Sequence, residues 1–213
     1  MRKPIIIFGA GGLGREIKTI VDALPEWEVI GFCDDKRGVG TMVMNAPVLG
    51  NTDYLLQIQT EQHVVIGIGN PRTKSKVIEA LHANPFLKFP TLIHPGAVLG
   101  DKLSIQIGAG TVITAGCILT TSIAMGNHVL LNLNTTVGHD VRIGDCTSIM
   151  PGVNIAGNVT IGEQVMIGSG ANVINDVVIE DEAIVGAGSV VIRNVGKAVT
   201  VVGVPAKTIR YGE

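Results

Sequence analysis

The chain has 213 residues, 46% of them hydrophobic and only 16% charged, which excludes a disordered, charge-rich polypeptide. A formal charge of −2 with no Lys/Arg block leaves nothing to attract a polyanion, so nucleic acid is not an expected partner. With 28 glycines but only four Phe, two Tyr and one Trp, the core must be built from aliphatic side chains separated by tight turns.

The first apolar run, Ile5 to Phe8, is too short for a signal peptide, and no run reaches the roughly 18 apolar residues of a membrane span. A cytoplasmic location without membrane insertion is therefore expected. Cys33, Cys117 and Cys146 are too widely spaced for a CxxC metal pattern or a disulfide framework, and they read as reduced and structural.

Residues 1–90 alternate apolar runs with helical patterns, the grammar of a small α/β domain with a parallel sheet. Strands are expected at Pro4 to Phe8, Glu28 to Cys33 and His63 to Ile68. Helices are expected at Leu13 to Leu24, at 51–59 with Asn51 or Thr52 as N-cap, and at Arg72 to Ala83 after Pro71. The stretch Gly9-Ala-Gly-Gly-Leu-Gly14 fits GxGxxG after a strand, and Asp34-Asp35 follows about 20 residues on, as in a dinucleotide fingerprint. Alone, that reads as NAD binding and a dehydrogenase. The domain has only about three βα units, however, which is half a Rossmann fold and enough for one nucleotide. A domain that merely packs is the bland alternative.

From Thr91 the period becomes six. Every sixth residue from Ile107 through Ile113, Leu119 and onward to Val191 is aliphatic, and the residues four further on, Thr111 through Ser189, are small or β-branched. Neither a helix nor a flat strand repeats this way, but a coil that turns a corner every six residues does, with three hexads to a triangular turn. Residues 91–195 then hold five to six turns, a prism roughly 25–30 Å tall at the spacing of stacked strands. The eight-residue step from Leu99 to Ile107 reads as a wider first corner. Residues 196–213 form a tail.

Repeats such as Val137-Gly-His-Asp-Val-Arg142, Ile161-Gly-Glu163 and Val185-Gly-Ala-Gly-Ser189, with Gly203-Val-Pro-Ala-Lys207 after them, resemble those of the hexapeptide-repeat acyltransferases. That resemblance implies a left-handed parallel β-helix. With Ile6 to Gly14 at the front, the chain is most similar to sugar acetyltransferases related to sialic acid O-acetyltransferase and to the UDP-4-amino-sugar N-acetyltransferases of bacillosamine and perosamine type. The likeness spans nearly the whole chain.

Acetyl transfer from a thioester needs a base near neutral pH, and His139 is the candidate, with Asp140 as its orienting carboxylate by resemblance. Adjacent residues can meet this way only at a corner; the bland reading is a solvated His-Asp turn. His63, His82 and His128 read as exposed or capping and His94 as structural, and no histidine pair has metal spacing, so no metal is expected. Cys117 points inward, and Cys146 sits at a corner as a weak candidate nucleophile. The resemblance further implies that Gly11, Gly12, Leu13, Asp34, Asp35, Lys36, Gly69 and Asn70 contact a nucleotide-linked sugar and that Asn132 lies near its acceptor end. It places Ser148, Gly157, Ser169, Ala187 and Lys207 along the acetyl-CoA groove, which the tail completes. Leu13 and Ser148 stand where the bacillosamine-type relatives carry histidine. A homotrimer is implied, because in this family the donor groove lies between neighbouring prisms. The expected activity is acetylation of the amine of a nucleotide-activated amino sugar; the alternatives are O-acetylation of a sugar hydroxyl and a non-catalytic, nucleotide-sugar-binding trimeric scaffold.

Overall fold

Apolar runs alternating with amphipathic stretches build a parallel sheet with helices packed on it, and this is how the N-terminal half of the chain folds. The computed structural model describes residues 2–211, and the chain divides into two compact units between Pro95 and Gly96.

In the first unit β1 (Lys3–Phe8) is the central strand. It pairs in parallel with β2 (Trp27–Cys33) on one side and β5 (Gln62–Ile66) on the other. Beyond β2 lie β3 (Met42–Val43) and β4 (Ala46–Gly50), and β6 (Leu87–Lys88) closes the far edge beside β5. Ile5, Ile6, Ile7 and Phe8 are buried, so β1 reads as the continuous apolar run of a strand covered on both faces. The helices are α1 (Gly12–Asp22), α2 (Thr52–Leu56) and α3 (Pro71–Leu81). Asn51 caps α2 by accepting from the Tyr54 N–H, and Asn70 caps α3 in the same way toward Thr73, with Pro71 at the first helical position.

The sequence reading anticipated β1, β2, β5 and all three helices but not the β3–β4 hairpin or β6. The hairpin turns on Met44 and Asn45, both at positive φ, a pattern of the I′ class that a Met-Asn pair signals weakly.

In the second unit each hexad supplies one short strand of a left-handed, three-faced coil. The first face stacks Val112–Ile113, Leu130–Leu131, Ser148–Ile149, Met166–Ile167, Ile184–Val185 and Thr200–Val202. The second runs from Val98–Leu99 through Thr136–Val137 to Val190–Val191, and the third from Ile105–Ile107 through Arg142–Ile143 to Val178–Ile179. The second face has six strands and the third five, which agrees with five to six turns. Leu119, Leu131, Ile149 and Ile167 are fully buried, as are Thr111, Thr135, Val153 and Ala171 from the second inward position. Truncating one of these aliphatics would cost about 2–5 kcal/mol.

The corners have their own period. From Gly110 to Gly188 every sixth residue has positive φ, a left-handed conformation shared by Gly, Asn, Asp and less accommodating residues such as His128 and Cys146. Asp140 belongs to that series, with φ +58. The eight-residue step opens a wider corner, where Ser104 hydrogen-bonds the Ser122 N–H and the Thr121 hydroxyl. Lys207–Arg210 returns antiparallel to Thr200–Val202 and finishes the first face.

Candidate active site

Three grooves concern the chemistry, one in the α/β unit and two on the prism. In the α/β unit a pocket of about 300 Å³ opens where β1 meets α1, lined by Gly9, Gly11, Asp34, Asp35, Lys36 and Thr73 among others. The glycines explain its shape. A Cβ on Gly14 would strike the Gly9 carbonyl oxygen, so α1 packs onto the turn only because residue 14 has none, and Gly9 itself has φ +98. Nothing lies within 4 Å of a Cβ built on Gly11 or Gly12, which leaves the α1 N-terminus bare to solvent. No side chain caps Gly11.

Asp34 binds the backbone on both sides of the pocket. Its Oδ2 accepts from the Ala10 N–H at 2.7 Å, and its Oδ1 accepts from the N–H groups of Lys36 (2.9 Å) and Arg37 (3.1 Å). The carboxylate thereby braces the glycine turn against the loop after β2. Asp35 accepts from the N–H and hydroxyl of Thr52 at the start of α2, both at 2.9 Å. Lys36 is exposed at the rim. Gly12 and Gly69 directly follow lining residues along the chain, Leu13 and Asn70 lie one residue further on, and the Asn70 side chain is committed to capping α3.

On the prism, His139 and Asp140 form the turn between Thr136–Val137 and Arg142–Ile143, on the edge joining the second and third faces. The left-handed backbone of Asp140 folds its side chain back, and His139 Nδ1 and Asp140 Oδ2 lie 2.8 Å apart. Adjacent residues meet here because they occupy a corner. Both side chains are exposed, 59% and 61%. A carboxylate only accepts, so a neutral imidazole in this contact donates from Nδ1 and offers Nε2 as the acceptor. One coil on, a Cβ at Gly157 would collide with Cε1 and Nε2 of the ring, so the missing side chain of Gly157 seats the imidazole. Asp140 also lines a polar cleft of about 590 Å³ with Arg142, Asn158, Gln106 and Ser104.

The anticipated donor residues fall on different edges. Gly157 stacks above His139, whereas Ser169 and Ala187 lie exposed on the edge between the first and second faces. Ser148 is fully buried in the first face, and no part of it is open to a groove. Asn132 is buried as well. Its Oδ1 accepts from the Leu133 N–H at 2.8 Å, and its carbonyl takes hydrogen bonds from Thr135 and Cys117, so it braces a corner. Lys207 is exposed and shares a cleft of about 250 Å³ with Arg193 at the C-terminal end of the prism. Arg193, Arg142 and Asn158 were not singled out in the sequence. For Arg193 the signal was the 18-residue spacing that stacks 139, 157, 175 and 193 on one edge, and for Asn158 the same spacing from Asp140.

The remaining candidates are structural. His63 packs edge-on against Trp27 (4.9 Å between centroids), and His82 is the C-cap of α3. His128, expected to be exposed or capping, is instead buried at its corner, its ring occupying the space over Gly110. None of the three cysteines is in a disulfide and all are buried; burial pushes the Cys117 thiol up and the Cys33 thiol up to about 12. Among the described residues no group of three or more His, Cys, Asp or Glu could hold a metal ion, and no helix is long and apolar enough to cross a membrane.

A coil of hexads with a histidine held on one edge, following an α/β nucleotide-type domain, defines a hexapeptide-repeat transferase. Residues 4–81 match the PglD N-terminal domain family and residues 158–193 the bacterial transferase hexapeptide (six repeats). The GDP-perosamine N-acetyltransferase of Escherichia coli O157:H7 is 30% identical over 156 residues, 71% of this chain and 69% of that protein. The acetyltransferase domain of PglB from Neisseria gonorrhoeae FA1090 superposes with a TM-score of 0.91 at 30% identity, covering 98% of this chain and all of that one. PerB from Caulobacter crescentus, solved with CoA and GDP-perosamine, gives 0.87 at 31% identity over 96% of both chains. The chain belongs to this family of PglD-type, hexapeptide-repeat acetyltransferases.

Proposed function

We propose that the chain transfers acetyl from acetyl-CoA to the amine of a nucleotide-activated amino sugar, with His139 as general base. One observation carries the assignment of the base: the 2.8 Å contact between Nδ1 and Asp140, which orients the imidazole on an open edge. The amine nitrogen attacks the thioester carbonyl while Nε2 takes its proton, the carbon–sulfur bond breaks, and the proton passes to the departing thiolate. Asp140 steadies the imidazolium in between. The relatives named for GDP-perosamine supply the substrate class.

The nucleotide is assigned to the pocket of the α/β unit, where the bare N-terminus of α1 favours a diphosphate, Lys36 adds a positive rim, and Asp34 holds the turn. The active species is proposed to be a homotrimer. A donor lying parallel to the prism axis can meet Gly157 on one edge and Ser169 with Ala187 on the other only if the edges come from two copies. Exposed Ile118, Ile174 and Ile184 provide apolar surface for such contacts.

Thiol release from acetyl-CoA, measured against UDP-, dTDP- and GDP-linked 4-amino sugars and the corresponding hydroxyl sugars, tests this reading. Release with an amino sugar and not its hydroxyl counterpart is expected. Release only with hydroxyl acceptors, or with none, would overturn it.

A further inference from the structure

The polar cleft of about 590 Å³ beside the His139–Asp140 corner has a shape set by stacking. Gln106, Ala124 and Arg142 are Cα partners in three successive strands of the third face, so two long side chains flank one methyl group. At the stacked-strand spacing Gln106 and Arg142 stand about 9.5 Å apart, with a slot over Ala124 between them. Along the slot runs a corner column, Ser104, Ser122, Asp140 and Asn158, each 18 residues after the last. The wider first corner fixes its near end, where Ser104 accepts from the Ser122 N–H at 2.8 Å. Its far end meets the base, because Asn158 directly follows Gly157, the residue at which a Cβ would collide with Nε2 of His139.

Uncommitted groups decide what the slot can hold. Among the described residues the side chains of Gln106, Ser122 and Arg142 make no hydrogen bond or ion pair. Asn158 gives an amide N–H to Asp176 and keeps its carbonyl oxygen, and Asp140 keeps Oδ1 while Oδ2 meets His139. Arg142 and Asp140 carry opposite charges, so the slot has no net pull on an anion. It offers donors from Arg142 beside acceptors from Asp140 and Asn158. Neighbouring hydroxyl groups, each of which both donates and accepts, match that set.

We infer that the slot over Ala124 seats the ring of the acceptor sugar and that Arg142 is its specificity-determining residue, reading a hydroxyl on the carbon next to the reacting amine. The inference deepens the acetyltransferase reading above and rests on it. Arg142 lies three residues after His139 in the same coil, so an amine directed at the edge meets the imidazole while the adjacent hydroxyl stays beside the guanidinium. A site that donates to a substrate hydroxyl discriminates against the analogue lacking it, because the donor is then left unpaired.

The test uses UDP-, dTDP- and GDP-linked 4-amino sugars, each with and without a hydroxyl on the carbon beside the amine, on the wild-type chain, Arg142→Met and Ala124→Leu. Wild type should prefer the hydroxylated member by about tenfold or more in kcat/KM. Arg142→Met should erase that preference, chiefly by raising KM for the hydroxylated sugar, and leave KM for acetyl-CoA unchanged. Ala124→Leu should fill the slot and weaken both sugars by about tenfold or more, with bare nucleoside diphosphates bound as in wild type. Outward positions of the prism already carry exposed Ile118 and Ile184, so leucine suits the coil. No preference in wild type, an undiminished preference in Arg142→Met, or acetylation by Ala124→Leu within about twofold of wild type would overturn the slot. A wild-type chain that acetylates none of these sugars would overturn the proposed reaction instead, and titration then judges the slot. Ala124→Leu should lose the affinity that the sugar adds over the nucleoside diphosphate; a sugar that adds none, or equal binding by both chains, would overturn it.

Discussion

Gly157 lies one coil beyond His139 on the same edge, and the space a Cβ would fill there is taken by the imidazole. The backbone at Gly157 is not in the left-handed region, so alanine is tolerated by the chain but not by the ring. Gly157→Ala should tilt the imidazole away from its working position. Displacements on the order of 1 Å can cost about 100-fold in rate. We expect turnover to fall by roughly 10- to 100-fold with a melting temperature close to wild type. An unaffected rate would show that the ring position is not critical.

Asp140→Asn keeps a residue that accepts positive φ while removing the carboxylate that fixes the Nδ1 proton. Turnover should drop by about 10- to 1,000-fold, through loss of tautomer control and of imidazolium stabilisation. Asp140→Ala should lose the same activity and a further ~1 kcal/mol of stability from the strained corner. Kinetics and denaturant melts on both variants separate these effects.

Asp34 and Lys36 adjoin the same pocket but should respond differently to substitution. Asp34→Ala strips acceptors from three backbone N–H groups and should destabilise the α/β unit by about 1–3 kcal/mol as well as weakening nucleotide binding. Lys36→Ala should leave stability within about 0.5 kcal/mol and reduce nucleotide affinity alone. Urea melts and titration with nucleoside diphosphates check both.

Cys33 is fully buried in β2, and burial raises its thiol from 9.0 to about 12. The folded chain keeps a proton that the unfolded chain releases, so this group's contribution to stability is intact below about pH 9 and is lost as the pH climbs toward 12. Melts at pH 8 and pH 10.5 should show a smaller decline in Cys33→Ala than in wild type. In the native state at pH 8 the thiol should resist alkylation, becoming reactive on unfolding.

The prism was legible because its inward positions obey a strict period: Ile143, Ile149 and Ile155 can face one axis only if the chain turns every six residues. The His139–Asp140 corner was legible for the same reason, since Asp140 falls in the left-handed series. Less legible was what stacks on what. Gly157 reads in one dimension as a groove residue, yet its place is set by the residue 18 positions earlier. Asp34 looks like a nucleoside ligand in a fingerprint, and its hydrogen bond to Ala10 appears only once β1 and β2 lie side by side. Ser148 occupies an outward position of its hexad, yet it is buried, as are Val112 and Leu130 at the same position of the two preceding coils, which the hexad period does not predict.

The most direct measurement is turnover together with acetyl-CoA binding in His139→Ala, using the nucleotide-linked amino sugar that the wild type accepts. Loss of about 100- to 10,000-fold in kcat with unchanged affinity for acetyl-CoA is the expected result. A variant that acetylates at the wild-type rate would contradict the assignment of the imidazole as the base.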